Sequence, residues 1–205
     1  MAQAVFDSQA FWLACMSLQK TVEAGADEAA IKSAVKAVED TVQKSDVFKE
    51  DVLVQNLLNS IPKSDVPASS EIKTRFKKVE VMARRTALVG EEGGSLLLYV
   101  LSYLQSLLVI PPAPSVAAPD KSVDVIDPTA LNTFDIVWLA KTAMEVDDLE
   151  QAVKYMNLLK GESRRQASDW LVNARLYLEL QQSCEALASY AHAIGAEAVP
   201  VVAEK

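Results

Sequence analysis

Apolar residues recur along this chain at three- and four-residue spacing, the period of a helix that buries one face. The helix breakers stay outside those stretches. Gly25, Gly90, Gly93, Gly94, Gly161 and Gly195 all fall between them. Pro62 and Pro67 also fall between segments, and Pro111, Pro112, Pro114, Pro119 and Pro128 crowd into 18 residues. Helix formers bounded by Gly and Pro predict an all-α protein.

The spacing predicts a first helix over about 5–23, with Phe6, Leu13 and Met16 or Ser17 on one face. Asp27 caps a second over about 28–42, where Ile31, Val35, Val38 and Val42 recur. A third covers about 49–60 and stops before Pro62. A fourth runs over about 70–89 and a fifth, read as a core helix, over about 95–110. The Pro-rich connection at 111–128 is expected to be an extended surface loop. Asp127-Pro128 resembles a cap followed by proline in the first turn, opening a helix to about 146. Helices over about 149–159, 163–180 and 183–194 complete the chain, with Gly195 as a stop and a loose tail after Pro200. The segments group as 1–69, 70–110, the linker 111–128, 129–196 and the tail 197–205.

A 34-residue self-match runs through the C-terminal third. It pairs Ile136 with Trp170, Ala140 with Ala174, Ala152 with Ala186 and Met156 with Tyr190. That period, with a small residue where two helices approach, belongs to tetratricopeptide hairpins. Only two units are visible, which predicts a bundle of antiparallel helical hairpins rather than a long array.

Charge changes the picture in one place. The 205 residues carry 20 Lys plus Arg against 28 Asp plus Glu, a net of −8. This argues against a nucleic-acid binder, which needs a basic footprint. Yet 71–85 hold Lys73, Arg75, Lys77, Lys78, Arg84 and Arg85 against Glu71 and Glu80, a local net of +4. Ile72, Phe76, Val79 and Ala83 share a narrow arc of the same helix. An apolar face with long cationic flanks is the pattern of a helix lying on an anionic lipid surface. It is also the pattern of a helix that packs one face on a core and solvates the other.

No segment carries catalytic or cofactor chemistry. His192 is the only histidine, near a helix end. Asp147-Asp148 and Glu91-Glu92 lack the spaced oxygens of a calcium loop. The stretch from Gly90 to Ser95 lacks the Gly-Lys-Ser/Thr ending of a phosphate loop. No metal, cofactor or small-molecule substrate is expected. Cys15 and Cys184 show no CxxC spacing and read as buried free thiols, with a bridge between them left open. The apolar run 96–110 would span only about 22 Å as a helix, short of a bilayer core of about 30 Å.

Ordered blocks then point to a family. They begin with Arg75-Phe76, Val79 and Ala83-Arg84-Arg85, and continue with Ser95-Leu96, Tyr99 and the run from Leu101 to Leu107. Asn132-Thr133-Phe134, Asp148-Leu149-Glu150, the run from Leu159 to Arg165, Asp169-Trp170-Leu171 and Ala174-Arg175 follow. Together they resemble the C-terminal domain of mitofilin, densely over about 70–195 and more weakly before. The resemblance implies a non-enzymatic, membrane-shaping scaffold of the mitochondrial contact site and cristae organising system. It implies the inner membrane, facing the intermembrane space, with this chain a C-terminal fragment lacking presequence and transmembrane helix. The implied partners are an anionic phospholipid membrane, a subunit with a twin Cys-x9-Cys domain, and a second copy of itself. Carried onto this sequence, lipid contact falls to Lys73, Arg75, Phe76, Lys77, Lys78, Arg84 and Arg85. Partner contact falls to Arg164, Arg165 and Trp170. The alternative reading is a soluble tetratricopeptide-like adapter for a helical or peptide segment of another protein.

Overall fold

The computed structural model describes residues 2–62, 65–87, 89, 95–108 and 131–198. Among them are nine helices and no strand, an all-α fold. They are α1 (Ala2–Glu23), α2 (Glu28–Lys44), α3 (Asp46–Lys49), α4 (Val52–Ser60), α5 (Ser69–Arg85), α6 (Leu96–Leu108), α7 (Thr133–Glu145), α8 (Leu149–Met156) and α9 (Gly161–Ala198). The chain forms two compact units. The first takes Met1–Ser70 and Leu176–Lys205, the second Glu71–Arg175.

In the first unit the α1–α2 turn is closed by Gly25, whose φ of 65° suits a residue without Cβ. Its N–H reaches Val22 O at 3.0 Å. Asp27 caps α2 as the sequence predicts, accepting from Ala30 N at 3.0 Å. The buried stripe of α1 is Phe11, Cys15, Leu18 and Val22, while Phe6 and Leu13 of the expected face are exposed. Phe11 meets Phe48 of α3 with ring centroids 4.7 Å apart. Tyr177 Oη of α9 donates to Val22 O at 3.3 Å. Cys15 lies seven residues before Val22 and Cys184 seven after Tyr177, two turns each way, and both thiols are buried and free.

The helix expected over 49–60 begins later, at Val52, because Asp51 caps its start, and a short α3 precedes it. The Asp51 carboxylate accepts from Leu53 N at 2.8 Å and Val54 N at 3.3 Å, and from Tyr190 Oη at 2.6 Å. Partial burial pushes this carboxyl up, but the hydrogen bonds from Tyr190, Val54 and Leu53 outweigh that and hold it below the ordinary value. A depressed carboxyl contributes stability that is present above its unfolded value near pH 4 and lost as acid titrates it. Asp51→Asn is therefore expected to flatten the acid limb of thermal stability below about pH 4. A melting temperature that falls as steeply in this variant as in the parent would refute the assignment.

In the second unit, α7 begins at Thr133 under Asn132, which accepts from Asp135 N at 2.9 Å. The proposed start at Asp127-Pro128 lies outside the described residues, as do the loop 90–94, the linker 111–128 and the tail 199–205. A tight turn joins α7 to α8 into one antiparallel hairpin. Asp147 takes a φ of 62° there, and Asp148 caps α8 through Gln151 N at 2.9 Å. The second hairpin of the repeat is absent, since the helices expected over 163–180 and 183–194 are one continuous α9. Gln181 and Gln182 are good helix formers, and no Gly or Pro interrupts 162–194. Gly195 does not end the helix, which runs to Ala198.

The fifth predicted helix departs furthest from expectation. Its hydrophobicity suggests a core helix, but most of the apolar side chains described in α6 turn outward. Leu96 is 82% exposed, Leu97 76% and Leu101 55%. Its one buried residue among 96–104 is Ser102, whose Oγ donates to Arg85 O at 2.5 Å. Among the described residues no helix is long and apolar enough to cross a membrane.

Candidate interaction surfaces

α5 is amphipathic as the sequence predicts, with Ile72, Phe76 and Ala83 buried in the second unit. Phe76, expected at lipid, is 3% exposed and packs on Trp170 with centroids 5.2 Å apart. Trp170, expected at a partner, is 1% exposed, and its Nε1 donates to Ile72 O at 3.0 Å. Both rings therefore fix α5 against α9 instead of offering a surface. The physical reason is area: such rings gain most when fully removed from water.

The cations of α5 divide into engaged and free. Lys73 reaches Asp147 at 2.7 Å, and Arg75 stands 3.7 Å from Glu71. Arg84 binds Glu80 at 2.9 Å, with Lys141 3.7 Å from the same carboxylate. Arg85 lies over the Tyr103 ring of α6, 5.3 Å from its centroid. Lys77 and Lys78 are exposed and form no ion pair among the described residues. Val81 and Met82, one turn further on, are exposed apolar side chains. With the outward Leu, Val and Tyr of α6, they put apolar and cationic groups together in the second unit. Sequence reading singled out the cations and missed the outward face of α6, because composition reports hydrophobicity and not what covers it.

At the start of α9 the two predicted arginines differ. Arg165 is exposed and bonded to Glu162 Oε2 at 3.2 Å. Arg164 is half-buried and turns back to the end of α8. Its Nη1 donates to Met156 O at 3.3 Å and to Asn157 Oδ1 at 3.0 Å. A third arginine, Arg175, donates from Nη2 to the same Oδ1 at 2.5 Å. Burial, and then the neighbouring charge of Arg175, pull the Arg164 guanidinium below its ordinary value. Arg175 lies eleven residues after Arg164, three helical turns, so its place on the same stripe was legible in the spacing. No group of His, Cys, Asp and Glu among the described residues could hold a metal ion.

The chain matches the mitofilin family, described as a mitochondrial inner membrane protein, over residues 3–192. It belongs to that family. It is 38% identical over 193 residues to "MICOS complex subunit Mic60" of Drosophila melanogaster, covering 92% of this chain and 26% of the relative. It is 26% identical over 154 residues to the protein named "MICOS complex subunit mic60" in Neurospora crassa, covering 73% of this chain and 21% of the relative. The Aspergillus niger protein of that name gives the same identity over the same length, with 22% of the relative covered. The chain thus spans about a quarter of the length of the curated relatives it matches. No solved structure matches it. The mitofilin match takes in α1 through most of α9, so the N-terminal helices belong to the family region as well as the basic helix.

Proposed function

We propose that this chain is the membrane-docking and assembly part of a MICOS subunit, acting as a non-enzymatic scaffold at the inner membrane and facing the intermembrane space. Its relatives carry that complex in their names. The observation that carries the lipid reading is α6, whose Leu96, Leu97, Leu101 and Leu104 face water while Ser102 is buried beside the cationic end of α5. Exposed Leu and Val with Tyr99 and Tyr103 at half exposure suit the headgroup boundary, where aromatic rings and cationic stems both settle. Lys77, Lys78 and Arg85 supply the attraction to phosphate. Phe76 acts from inside, holding α5 in place. A partner subunit with a twin Cys-x9-Cys domain and a second copy of this chain are the assembly partners in this reading.

The test is sedimentation with vesicles of phosphatidylcholine and phosphatidylglycerol. Reversing Lys77 and Lys78 to Glu, both exposed, is expected to weaken binding about thirtyfold or more, at about 1 kcal/mol for each cation near the surface and a further repulsion. Leu97→Ser with Leu101→Ser is expected to weaken it comparably. Unchanged sedimentation of both variants at low salt would remove the lipid assignment.

A further inference from the structure

The Arg164–Asn157–Arg175 cluster has a charge problem that nothing among the described residues of the second unit solves. Two guanidiniums converge on a single neutral oxygen, Asn157 Oδ1. Neither is paired with a carboxylate among the described residues, although Arg165, next in sequence, has Glu162. Bringing two cations together costs free energy unless an anion joins them. The amide oxygen holds both forks at one point without neutralising either. Arg175 is exposed and Arg164 half-buried, so a ligand can reach them. Val172, one turn before Arg175, is 56% exposed and gives the site an apolar neighbour.

We propose that Arg164 and Arg175 form a receptor for a carboxylate on a partner protein, with Asn157 as the positioning residue that sets the two guanidiniums. Planar guanidinium forks match a planar carboxylate through paired N–H donors. A point site of two forks beside one apolar side chain suits an acidic residue flanked by a hydrophobic one. A membrane instead recognises charge spread over a face. The proposal rests on the reading of this chain as an assembly subunit, not on its lipid face.

The experiment follows the arginine Nε–H signals of the whole chain by NMR. The probes are a capped peptide of alternating Glu and Leu, its Gln and Leu counterpart, and phosphatidylglycerol vesicles. The Glu peptide is expected to shift Arg164 and Arg175 together, and the Gln peptide to leave them in place. Arg175→Gln, an exposed change, is expected to weaken the Glu peptide at least tenfold. The same variant is expected to keep the parent's melting temperature or exceed it, since a like charge is removed, and to sediment with vesicles as the parent does. Equal shifts from the Gln peptide, or an unweakened Arg175→Gln, would overturn the proposal. So would vesicles moving these two signals when the Glu peptide does not. Loss of vesicle binding by the Lys77 and Lys78 reversal would leave the peptide result untouched, so failure of either reading is separable from the other.

Discussion

Trp170→Ala is expected to destabilise the second unit severely. Trp170 is 1% exposed, and its ring meets Phe76 while its Nε1 satisfies the Ile72 carbonyl at 3.0 Å. Removing a buried Trp costs about 3–5 kcal/mol, and the Ile72 oxygen loses a buried donor besides. Domains of this size hold about 5–15 kcal/mol in all, so one substitution consumes much of the margin. Trp170→Phe keeps the ring contact and drops the hydrogen bond, and should cost about 1–3 kcal/mol. Urea unfolding followed by circular dichroism checks both. An alanine variant within about 0.5 kcal/mol of the parent would mean the indole is not what holds α5 to α9. The same contact decides how the lipid reading must be tested. Phe76→Asp sets a carboxylate against the buried indole, so vesicle binding lost in that variant reports unfolding. Lys77 and Lys78 can be changed without touching the core.

The thiols should be silent in the folded protein. Burial pushes Cys184 up to about 12, and burial followed by the neighbouring Cys184 pushes Cys15 up to about 12. Relative to an ordinary thiol near 9, this lowers the reactive thiolate about a thousandfold before access is considered. A thiol reagent such as dithionitrobenzoate is expected to label neither cysteine on the time scale that labels both in denaturant. Native labelling at a rate near the denatured one would contradict the packing of α1 and α9 described above. The raised values also set an alkaline limit. Between about pH 9 and 12 the unfolded chain sheds thiol protons that the folded one keeps, so stability falls as pH rises through that window. Replacing both cysteines with Ala is expected to remove that part of the alkaline slope.

Much of the fold was legible because helices announce their ends. Asp27 caps α2 where the sequence places it, and Gly25 takes the left-handed turn before it. The basic helix was legible too, since 100° per residue sorts Ile72, Phe76 and Ala83 from the lysines. What sequence spacing lacks is the partner of each face. Phe6 and Leu13 share a stripe on α1, yet the neighbouring stripe of Phe11, Cys15, Leu18 and Val22 is the buried one. Trp170 and Arg175 sit on the same helix with opposite fates, decided by what α5 and α8 bring to them. Asn157 carries no signal of its own, since it becomes a hub only when two arginines reach it from α9.

The Ser102–Arg85 hydrogen bond has a meaning beyond the 2.5 Å it spans. In a helix reading LLLYVLSYLQSLL the polar residues Ser102, Gln105 and Ser106 share one face by their spacing. Ser102 on that face donates to a carbonyl in α5, while Leu96, Leu97 and Leu101 look out. In most helices apolar side chains choose the inside and polar ones follow. In α6 a polar side chain faces in, so Ser102→Leu would remove the hydrogen bond to α5 while every outward leucine stays in the sequence.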